Sequence, residues 1–213
     1  TDLLRERGLW DTVARLVANP LPVDRAQVPL VARTSSGVGA DYFPPDLHID
    51  GVHSEDGRIE NFTLLVGVPL DEFPEPFMGN FGVFPGSHLR LQELFRREGI
   101  DVFKRWMEDR SASLDAYGNF NPRIAWGRRL QEVFQQSPFV PLCVRAGQAF
   151  VAHYQTVHFV HPNLHGANPR AVMYFRVYAR REGRFQSLEL RALTNVWFEY
   201  PAIAAMERRS TSA

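Results

Sequence analysis

The spacing of apolar residues changes along the chain and divides it into helical and strand-like parts. In the first 20 residues, apolar positions recur at helical spacing among charges and stop at Pro20, namely Leu3, Leu4, Trp10, Val13, Leu16 and Val17. From about residue 27 to 87, short apolar or alternating runs (VPLVART, NFTLLVGVPL, FGVFPGS) are punctuated by Gly and Pro. We therefore predict an amphipathic helix followed by a block of strands and turns.

Helical periodicity returns between residues 88 and 138, after which strand composition resumes. Three segments predict helices, LRLQELFRREG, DVFKRWMEDR and NPRIAWGRRLQEVFQQS, the last with Asn121 as a cap before Pro122. Four later segments predict strands, FVPLCV, QAFVAHYQ, AVMYFRVYAR and FQSLELRAL, and the tail EYPAIAAMERRSTSA predicts a helix.

Two blocks of strands separated by a helical insertion at about 89–137 indicate a mainly β fold with flanking helices. We expect a double-stranded β-helix, that is, a cupin-like jelly roll, in one domain spanning residues 1–213. Another β-rich sandwich is the alternative.

Composition excludes several classes of protein. Of 213 residues, 45% are hydrophobic and 12% aromatic, which excludes a disordered chain. The 24 basic and 24 acidic residues cancel, so no overall charge attracts nucleic acid or an anionic membrane, and no apolar run is long enough to span a bilayer. A single cysteine, Cys143 in FVPLCV, allows no internal disulfide and is expected to be buried. We expect a cytoplasmic protein.

Candidate chemistry is concentrated in DLHIDGVH at residues 46–53. In a strand, residues i and i+2 face the same side, so His48 and Asp50 would project together while Ile49 faces away. This arrangement could deliver two ligands to one metal ion. The alternative is ordinary turn chemistry beside the Pro-Pro break, since Asp50 and Gly51 are common turn residues.

A second histidine-rich segment, HYQTVHFVHPNLHGANPR, covers residues 153–170. One of its four histidines could complete a site begun by His48 and Asp50. Two histidines and one carboxylate form the ligand set of non-haem Fe(II) oxygenases, which leaves positions open for oxygen and a co-substrate.

The order of several motifs resembles the phytanoyl-CoA dioxygenase family of Fe(II)/2-oxoglutarate oxygenases. The motifs are HIDG, NFTLLVGVPLDE, MGNFGVFPGSH and AGQAFVAHYQTVHFVHPN with a downstream arginine, and they cover roughly residues 27–180. The resemblance implies iron bound by His48, Asp50 and His158, and 2-oxoglutarate whose distal carboxylate is bound by Arg170. An arginine fork can hold a carboxylate through two hydrogen bonds, which a lysine cannot reproduce.

Other residues near these motifs receive weaker roles. Thr63, on the strand after the H-x-D pair, could support the same carboxylate through its hydroxyl. The remaining histidines of the second segment, His153, His161 and His165, are expected at the surface, in the core or around the ligands. Ser87 and His88 of PGSH are expected to serve the turn and its packing.

The insertion from 89 to 137 carries mixed charges, which predicts a solvated face, so we expect no coenzyme A ester from the family's name. Its aromatic residues predict core packing or, alternatively, a lid over an apolar substrate: Phe95, Phe103, Trp106, Tyr117, Phe120 and Trp126.

The family resemblance implies an oxygenase that acts with O2 on a small organic molecule and releases succinate and CO2. Halogenases related to this family replace the carboxylate ligand with a small residue, so Asp50 favours hydroxylation. Desaturation, epoxidation and ring formation use the same ligands and stay open, as do the primary substrate and the oligomeric state. The rival hypotheses are a cupin-type metalloenzyme that does not use 2-oxoglutarate, and a non-catalytic jelly-roll binding module.

Overall fold

The computed structural model describes residues 2–6, 8–35, 37–38, 41–53, 56–59, 62–108, 121–181 and 190–210. Within these residues the helices are α1 (Asp2–Glu6), α2 (Leu9–Leu16), α3 (Ser87–Glu98), α4 (Val102–Glu108), α5 (Pro122–Phe134), α6 (Leu190–Thr194) and α7 (Pro201–Ser210). The strands are β1 (Leu30–Val31), β2 (Leu64–Pro69), β3 (Phe81–Val83), β4 (Val140–Pro141), β5 (Phe150–His153), β6 (His158–Val160) and β7 (Arg170–Val177).

The strands form two antiparallel sheets. The larger has the order β1-β7-β2-β5 and the smaller the order β4-β3-β6. In the larger sheet, β2 pairs along its whole length with β7, from Leu64 opposite Val177 to Pro69 opposite Val172. This long pairing makes β2 and β7 the centre of the fold.

Both faces of the β2–β7 pair are buried, because alternate residues enter two different hydrophobic clusters. Leu65 of β2 and Tyr174 of β7 join a cluster that also contains Phe81 and Phe159 of the smaller sheet. Leu64 and Phe175 join the second cluster, with apolar residues of α1, α2 and the segment before α7. The first cluster therefore lies between the two sheets, and the second lies under the terminal helices.

Several predicted elements differ from the structure. The predicted N-terminal helix is two helices, because Gly8 between them has φ 67°, a left-handed conformation that glycine adopts without a steric penalty. The strand predicted at FQSLELRAL is wrong for its second half: residues 190–194 form α6, which buries Ala192 and Leu193 in the core. Residues 185–189 of that segment lie outside the described residues.

The predicted burial of Cys143 is also wrong. Only Val140 and Pro141 of FVPLCV form a strand, and beyond it Val144 points into the core while Cys143 is exposed. The alternation of sides along an extended chain explains this, since adjacent residues face opposite ways.

The insertion is helical where it is described, with α4 and α5 following α3. Phe95 and Phe103 are buried, and Trp106 packs against Phe103 with ring centroids 5.1 Å apart. These rings serve the core, as the first alternative predicted, whereas Tyr117 and Phe120 lie outside the described residues. Trp126 of α5 is also buried but borders the candidate site described below.

Among the described residues, no helix combines the length and the apolar character that a membrane crossing requires.

Candidate active site

Backbone pairing brings the two halves of the candidate site together. The amide of His48 donates to the carbonyl of His158 (3.1 Å), and the amide of His158 donates to the carbonyl of His48 (3.0 Å). The segment around His48 therefore lies along the start of β6, and the two imidazole rings have centroids 4.4 Å apart. A sequence separation of 110 residues is closed by this one antiparallel bridge.

Asp50 completes a cluster of three possible metal ligands. One donor atom each from His48, Asp50 and His158 can be chosen so that all three atoms lie within 4.8 Å of one another. Asp50 Oδ1 lies 4.0 Å from His158 Nε2. The structure thus places the three residues of the predicted ligand set together.

Both histidines are oriented as metal-ligating histidines usually are. Nδ1 of His48 lies 2.9 Å from the carbonyl oxygen of Asp46, and Nδ1 of His158 lies 2.9 Å from that of Thr156. Since a carbonyl oxygen only accepts, Nδ1 carries the proton in each hydrogen bond, and Nε2 keeps its lone pair for a ligand. Two such rings beside a carboxylate fit a divalent metal ion of the first transition row.

The protonation states of the cluster residues suit the binding of a cation. Burial lowers the pKa of His158 to about 4, so this imidazole is neutral at neutral pH. Burial by itself would raise the pKa of Asp50, but electrostatic interactions with His158, Arg176 and His48 outweigh it, and the pKa is lowered. Asp50 is therefore an ionised carboxylate in the same pH range.

Arg176 was missed by the sequence analysis and contacts the cluster directly. Its Nη2 lies 3.2 Å from Asp50 Oδ2, and its Nη1 donates to Gln27 Oε1 at 2.7 Å. One signal could have found it: Arg176 lies six positions after Arg170, so both face the same side of β7. The pairing with Asp50 itself joins residues 126 positions apart and has no local signature.

A stack of aromatic rings supports His158 from behind. The ring of Phe81 is stacked on His158 at 4.8 Å, and Phe150 is stacked on Phe81 at 5.1 Å. Phe150 in turn lies across Gly67, where an added Cβ would meet its ring at 2.2 Å. Gly67 therefore allows the close approach that holds this stack in place.

Arg170, the residue predicted to bind 2-oxoglutarate, is buried with part of its guanidinium unpaired. Its Nε donates to the carbonyl of Gly79, and its Nη1 lies 3.5 Å from the hydroxyl of Tyr174. Nη2 is buried and has no hydrogen-bond partner among the described residues. A buried cationic N–H without an acceptor is costly, so this geometry fits an anionic ligand such as a carboxylate.

Tyr174 connects Arg170 with the three candidate ligands. Its hydroxyl reaches Arg170, and its ring lies 6.0 Å from Phe81, the ring that is stacked on His158. Burial raises the pKa of Tyr174, so its hydroxyl stays protonated and can donate. The inner face of β7 thus leads from the candidate ligands to the unpaired nitrogen of Arg170.

A small cavity of about 170 Å³ opens onto two of the candidate ligands, His48 and Asp50. It is lined by the segment from Asp46 to Val52 and, on the insertion side, by Trp126 and Gly127 of α5. Gln131 of the same helix donates to the carbonyl of Pro45 at 2.7 Å, which ties α5 to the ligand-bearing segment. Of the insertion's aromatic residues that the structure describes, Trp126 is therefore the one placed at this cavity.

The role predicted for Thr63 does not hold. Its hydroxyl donates to Glu199 Oε2 at 2.7 Å and accepts from the amide of Ala179 at 2.9 Å, beside the buried ion pair of Glu199 with Arg181. The amide of Thr63 donates to the carbonyl of Val177 at 2.7 Å. Val177 is seven residues along β7 from Arg170, or about 23 Å at roughly 3.3 Å per residue. Thr63 joins the C-terminal segment to the larger sheet and is too far away to share a carboxylate with Arg170.

The other histidines lie away from the three candidate ligands. His153 is held between the carbonyl of Val196 and the amide of Gln155, and burial lowers its pKa to about 3. His161 is buried, and neither of its ring nitrogens has a partner among the described residues. His165 is exposed. Ser87 accepts from the amide of Val157 at 2.9 Å, in keeping with the packing role predicted for it.

No protein-family model and no curated protein matches the chain. Similar solved structures include the non-heme alpha ketoglutarate dependent carbocyclase SnoK from nogalamycin biosynthesis, HygX from Streptomyces hygroscopicus with iron bound, and EctD from S. alaskensis with 2-oxoglutarate and 5-hydroxyectoine. Their identities with the chain are 20%, 16% and 17%, and the TM-scores are 0.44, 0.47 and 0.46.

The matches cover 87%, 83% and 85% of this chain but 62%, 66% and 52% of those structures. The chain therefore spans between about half and two thirds of their length. Similarity at this level establishes neither the fold nor the activity, which depend on the geometry of the chain itself.

Proposed function

We propose that the protein is an Fe(II)- and 2-oxoglutarate-dependent oxygenase that hydroxylates a small organic molecule. The overall reaction would consume the substrate, O2 and 2-oxoglutarate, and would form the hydroxylated product, succinate and CO2. The observation that supports this proposal best is the pairing of two features: two histidines that cluster with Asp50 while main-chain carbonyls hold their Nδ1 atoms, and a buried Nη2 of Arg170 without a hydrogen-bond partner among the described residues.

His48, Asp50 and His158 would hold the iron, and together with 2-oxoglutarate the iron would supply the activation of O2 that no side chain of this chain can perform. The protein's own contribution is positioning. The carbonyls of Asp46 and Thr156 fix the two imidazoles in one tautomer, and Phe81 fixes the plane of His158.

Arg170 would orient the co-substrate by binding its distal carboxylate. Burial makes this contact strong, because charge-assisted hydrogen bonds gain strength where water is excluded. The hydroxyl of Tyr174, 3.5 Å from Nη1 of Arg170, is placed to donate to the same carboxylate. The two sheets would then be those of a double-stranded β-helix, with the site between them.

Hydroxylation is proposed as the outcome because Asp50 would supply the third ligand, a carboxylate that a halogenase related to the family that the sequence resembles would lack. The donor set of two imidazoles and one carboxylate is also suited to Fe(II), which favours an oxygenase over a binding module. The unpaired nitrogen of Arg170 favours 2-oxoglutarate as co-substrate over a cupin-type enzyme that does without it.

An anaerobic titration of metal-free protein with Fe(II) and then 2-oxoglutarate tests the proposal. The visible metal-to-ligand charge-transfer band should appear for the wild type, be lost in Asp50→Ala, and require far more 2-oxoglutarate in Arg170→Ala. Arg180→Gln, which removes an exposed arginine from the end of the same chain segment, should behave as the wild type. Iron binding without the band would refute the use of 2-oxoglutarate, and absence of iron binding would refute the metal site.

A further inference from the structure

A second, larger cavity lies on the other side of Arg176. Its volume is about 470 Å³, within the usual range for small-molecule sites, and it is lined by residues 21–27 together with Tyr174, Arg176 and Tyr178. None of these residues is among the three candidate ligands or contributes the unpaired nitrogen of Arg170. The cavity therefore adjoins the candidate active site through two side chains, Tyr174, which contacts Arg170, and Arg176, which contacts Asp50.

The cavity results from a bow in the chain beside β7. The amide of Leu21 donates to the carbonyl of Tyr178 at 2.8 Å, and Gln27 and Tyr174 exchange two backbone hydrogen bonds of 3.0 and 2.8 Å. Between these fixed points, five residues (22–26) lie opposite three residues (175–177). The longer strand must bend away from the sheet, and the space beneath it is framed at both ends by main-chain hydrogen bonds.

Three side chains on one face of the chain border this space, Tyr174 and Arg176 of β7 and Tyr178 just after it. The arginine therefore lies between two tyrosines. Arg176 is the wall shared with the candidate active site, since Nη2 faces Asp50 while Nη1 faces Gln27 on the cavity side. Whatever occupies the cavity would thus be separated from the ligand Asp50 by a single guanidinium group.

The chemistry of the walls limits the occupant. Asp50 pairs with Nη2 of Arg176, and a metal ion bound to Asp50 would share the negative charge of that carboxylate. Nη1 of Arg176, which faces Gln27, could then bind a second anion. Tyr174 and Tyr178 add aromatic surface to the lining, and Leu21 and Val23 add apolar surface. Carboxylate recognition by the arginine, combined with aromatic contacts to a ring, matches these features.

We propose that this cavity is the primary-substrate site and takes a small ring-bearing carboxylic acid, with the carboxylate bound by Arg176. This inference rests on the proposed function, because the cavity adjoins the proposed iron site through the contact of Arg176 with Asp50. Gln27 would release Nη1 of Arg176 to the incoming carboxylate.

Benzoate is the probe for the test, and benzamide is its neutral counterpart of the same shape. Both would be titrated calorimetrically, without oxygen, into protein loaded with Fe(II) and saturating 2-oxoglutarate. Benzoate should bind at least tenfold more tightly than benzamide while the charge-transfer band persists. Arg176→Gln should weaken benzoate binding at least tenfold, and Arg180→Gln should leave it unchanged.

Ala26→Trp provides a second variant that alters none of the proposed ligands. The indole should fill the cavity from the bowed segment and abolish benzoate binding, with the charge-transfer band intact. Equal binding of benzoate and benzamide, undiminished binding to Ala26→Trp, or loss of the band as benzoate is added would each overturn the inference. Absence of the band before any probe is added would instead refute the proposed function itself.

Discussion

Acidification of the metal-free protein from about pH 7.5 to about pH 5 should remove roughly 6 kcal/mol of its free energy of unfolding. Burial lowers the pKa of His153 to about 3, and those of His158 and His161 to about 4. In the unfolded chain a histidine has a pKa of about 6.5. Between these pKa values the unfolded state binds protons that the folded state does not bind. The contribution of the three histidines to the free energy of unfolding is therefore fully present above about pH 6.5 and is lost as the pH decreases.

The magnitude at pH 5 does not depend on how far each folded pKa lies below that pH. Each histidine contributes about 1.4 kcal/mol per pH unit over about 1.5 units, which gives about 2 kcal/mol each and about 6 kcal/mol for the three. Burial also lowers the pKa of His88, which adds in the same direction. The lowered pKa of Asp50 acts only at more acidic pH, where protonation of the carboxylate would cost further stability.

Urea unfolding followed by tryptophan fluorescence at both pH values measures this difference. His161→Phe is the matched variant, because the phenyl ring would sit among Tyr42, Phe77 and Phe139, where His161 leaves both nitrogens unpaired. It should lose only about 4 kcal/mol on acidification and be at least as stable as the wild type near neutral pH. His165→Gln, at an exposed position, should keep the full loss.

A loss below about 2 kcal/mol in the wild type would refute the reasoning, because it would mean that the three histidines accept protons in the folded protein. A His161→Phe variant that is less stable at both pH values would show that the imidazole has a partner, such as a bound water molecule or ligand, that the packing does not reveal.

Three further changes separate the candidate site from its surroundings. Thr63→Val should reduce the free energy of unfolding by about 1–3 kcal/mol, because Glu199 loses a buried hydrogen-bond donor. The 2-oxoglutarate dissociation constant should stay unchanged, and an altered constant in the charge-transfer titration would contradict the position assigned to Thr63. Gly79→Ala should weaken 2-oxoglutarate binding about tenfold, or about 1.4 kcal/mol, without affecting binding of Fe(II) alone. The reason is that Gly79 has φ 75° and an added Cβ would lie 3.0 Å from the Cβ of Arg170. Equal 2-oxoglutarate affinities of variant and wild type in the charge-transfer titration would contradict this prediction. Trp126→Phe should keep the fold and the charge-transfer band but raise the ratio of succinate to hydroxylated product severalfold, since Trp126 lines the cavity at the ligands; an unchanged ratio would place its role in packing alone.

Local chemistry in the sequence was sufficient to find two of the three candidate ligands. His48 and Asp50 are two residues apart, and a period of two in an extended segment is enough to put them on one side. The strands β2 and β7 and the helices α3 and α5 were also predictable from local sequence, β2 from a short continuous apolar run and the others from apolar residues at strand or helical spacing.

The third candidate ligand, His158, and the arginine proposed to bind the co-substrate, Arg170, could be predicted only through the order of motifs that resembles a known family. Nothing in the periodicity of residues 153–170 distinguishes His158 from His153 or His161. The structure distinguishes them by backbone pairing: His158 is bridged to His48, whereas His153 is opposite Leu64 and His161 is surrounded by aromatic rings.

Only the tertiary structure revealed the contacts between distant parts of the chain. Arg176 meets Asp50, and Thr63 meets Glu199 where the sequence had predicted a co-substrate. Both pairs are more than 100 positions apart, and each depends on which strand pairs with which and in what register. The sequence by itself therefore determined the local pattern of strands and helices and the candidate ligands His48 and Asp50. Strand register decided which of the remaining polar side chains face them, because a shift of one residue turns every side chain to the opposite face.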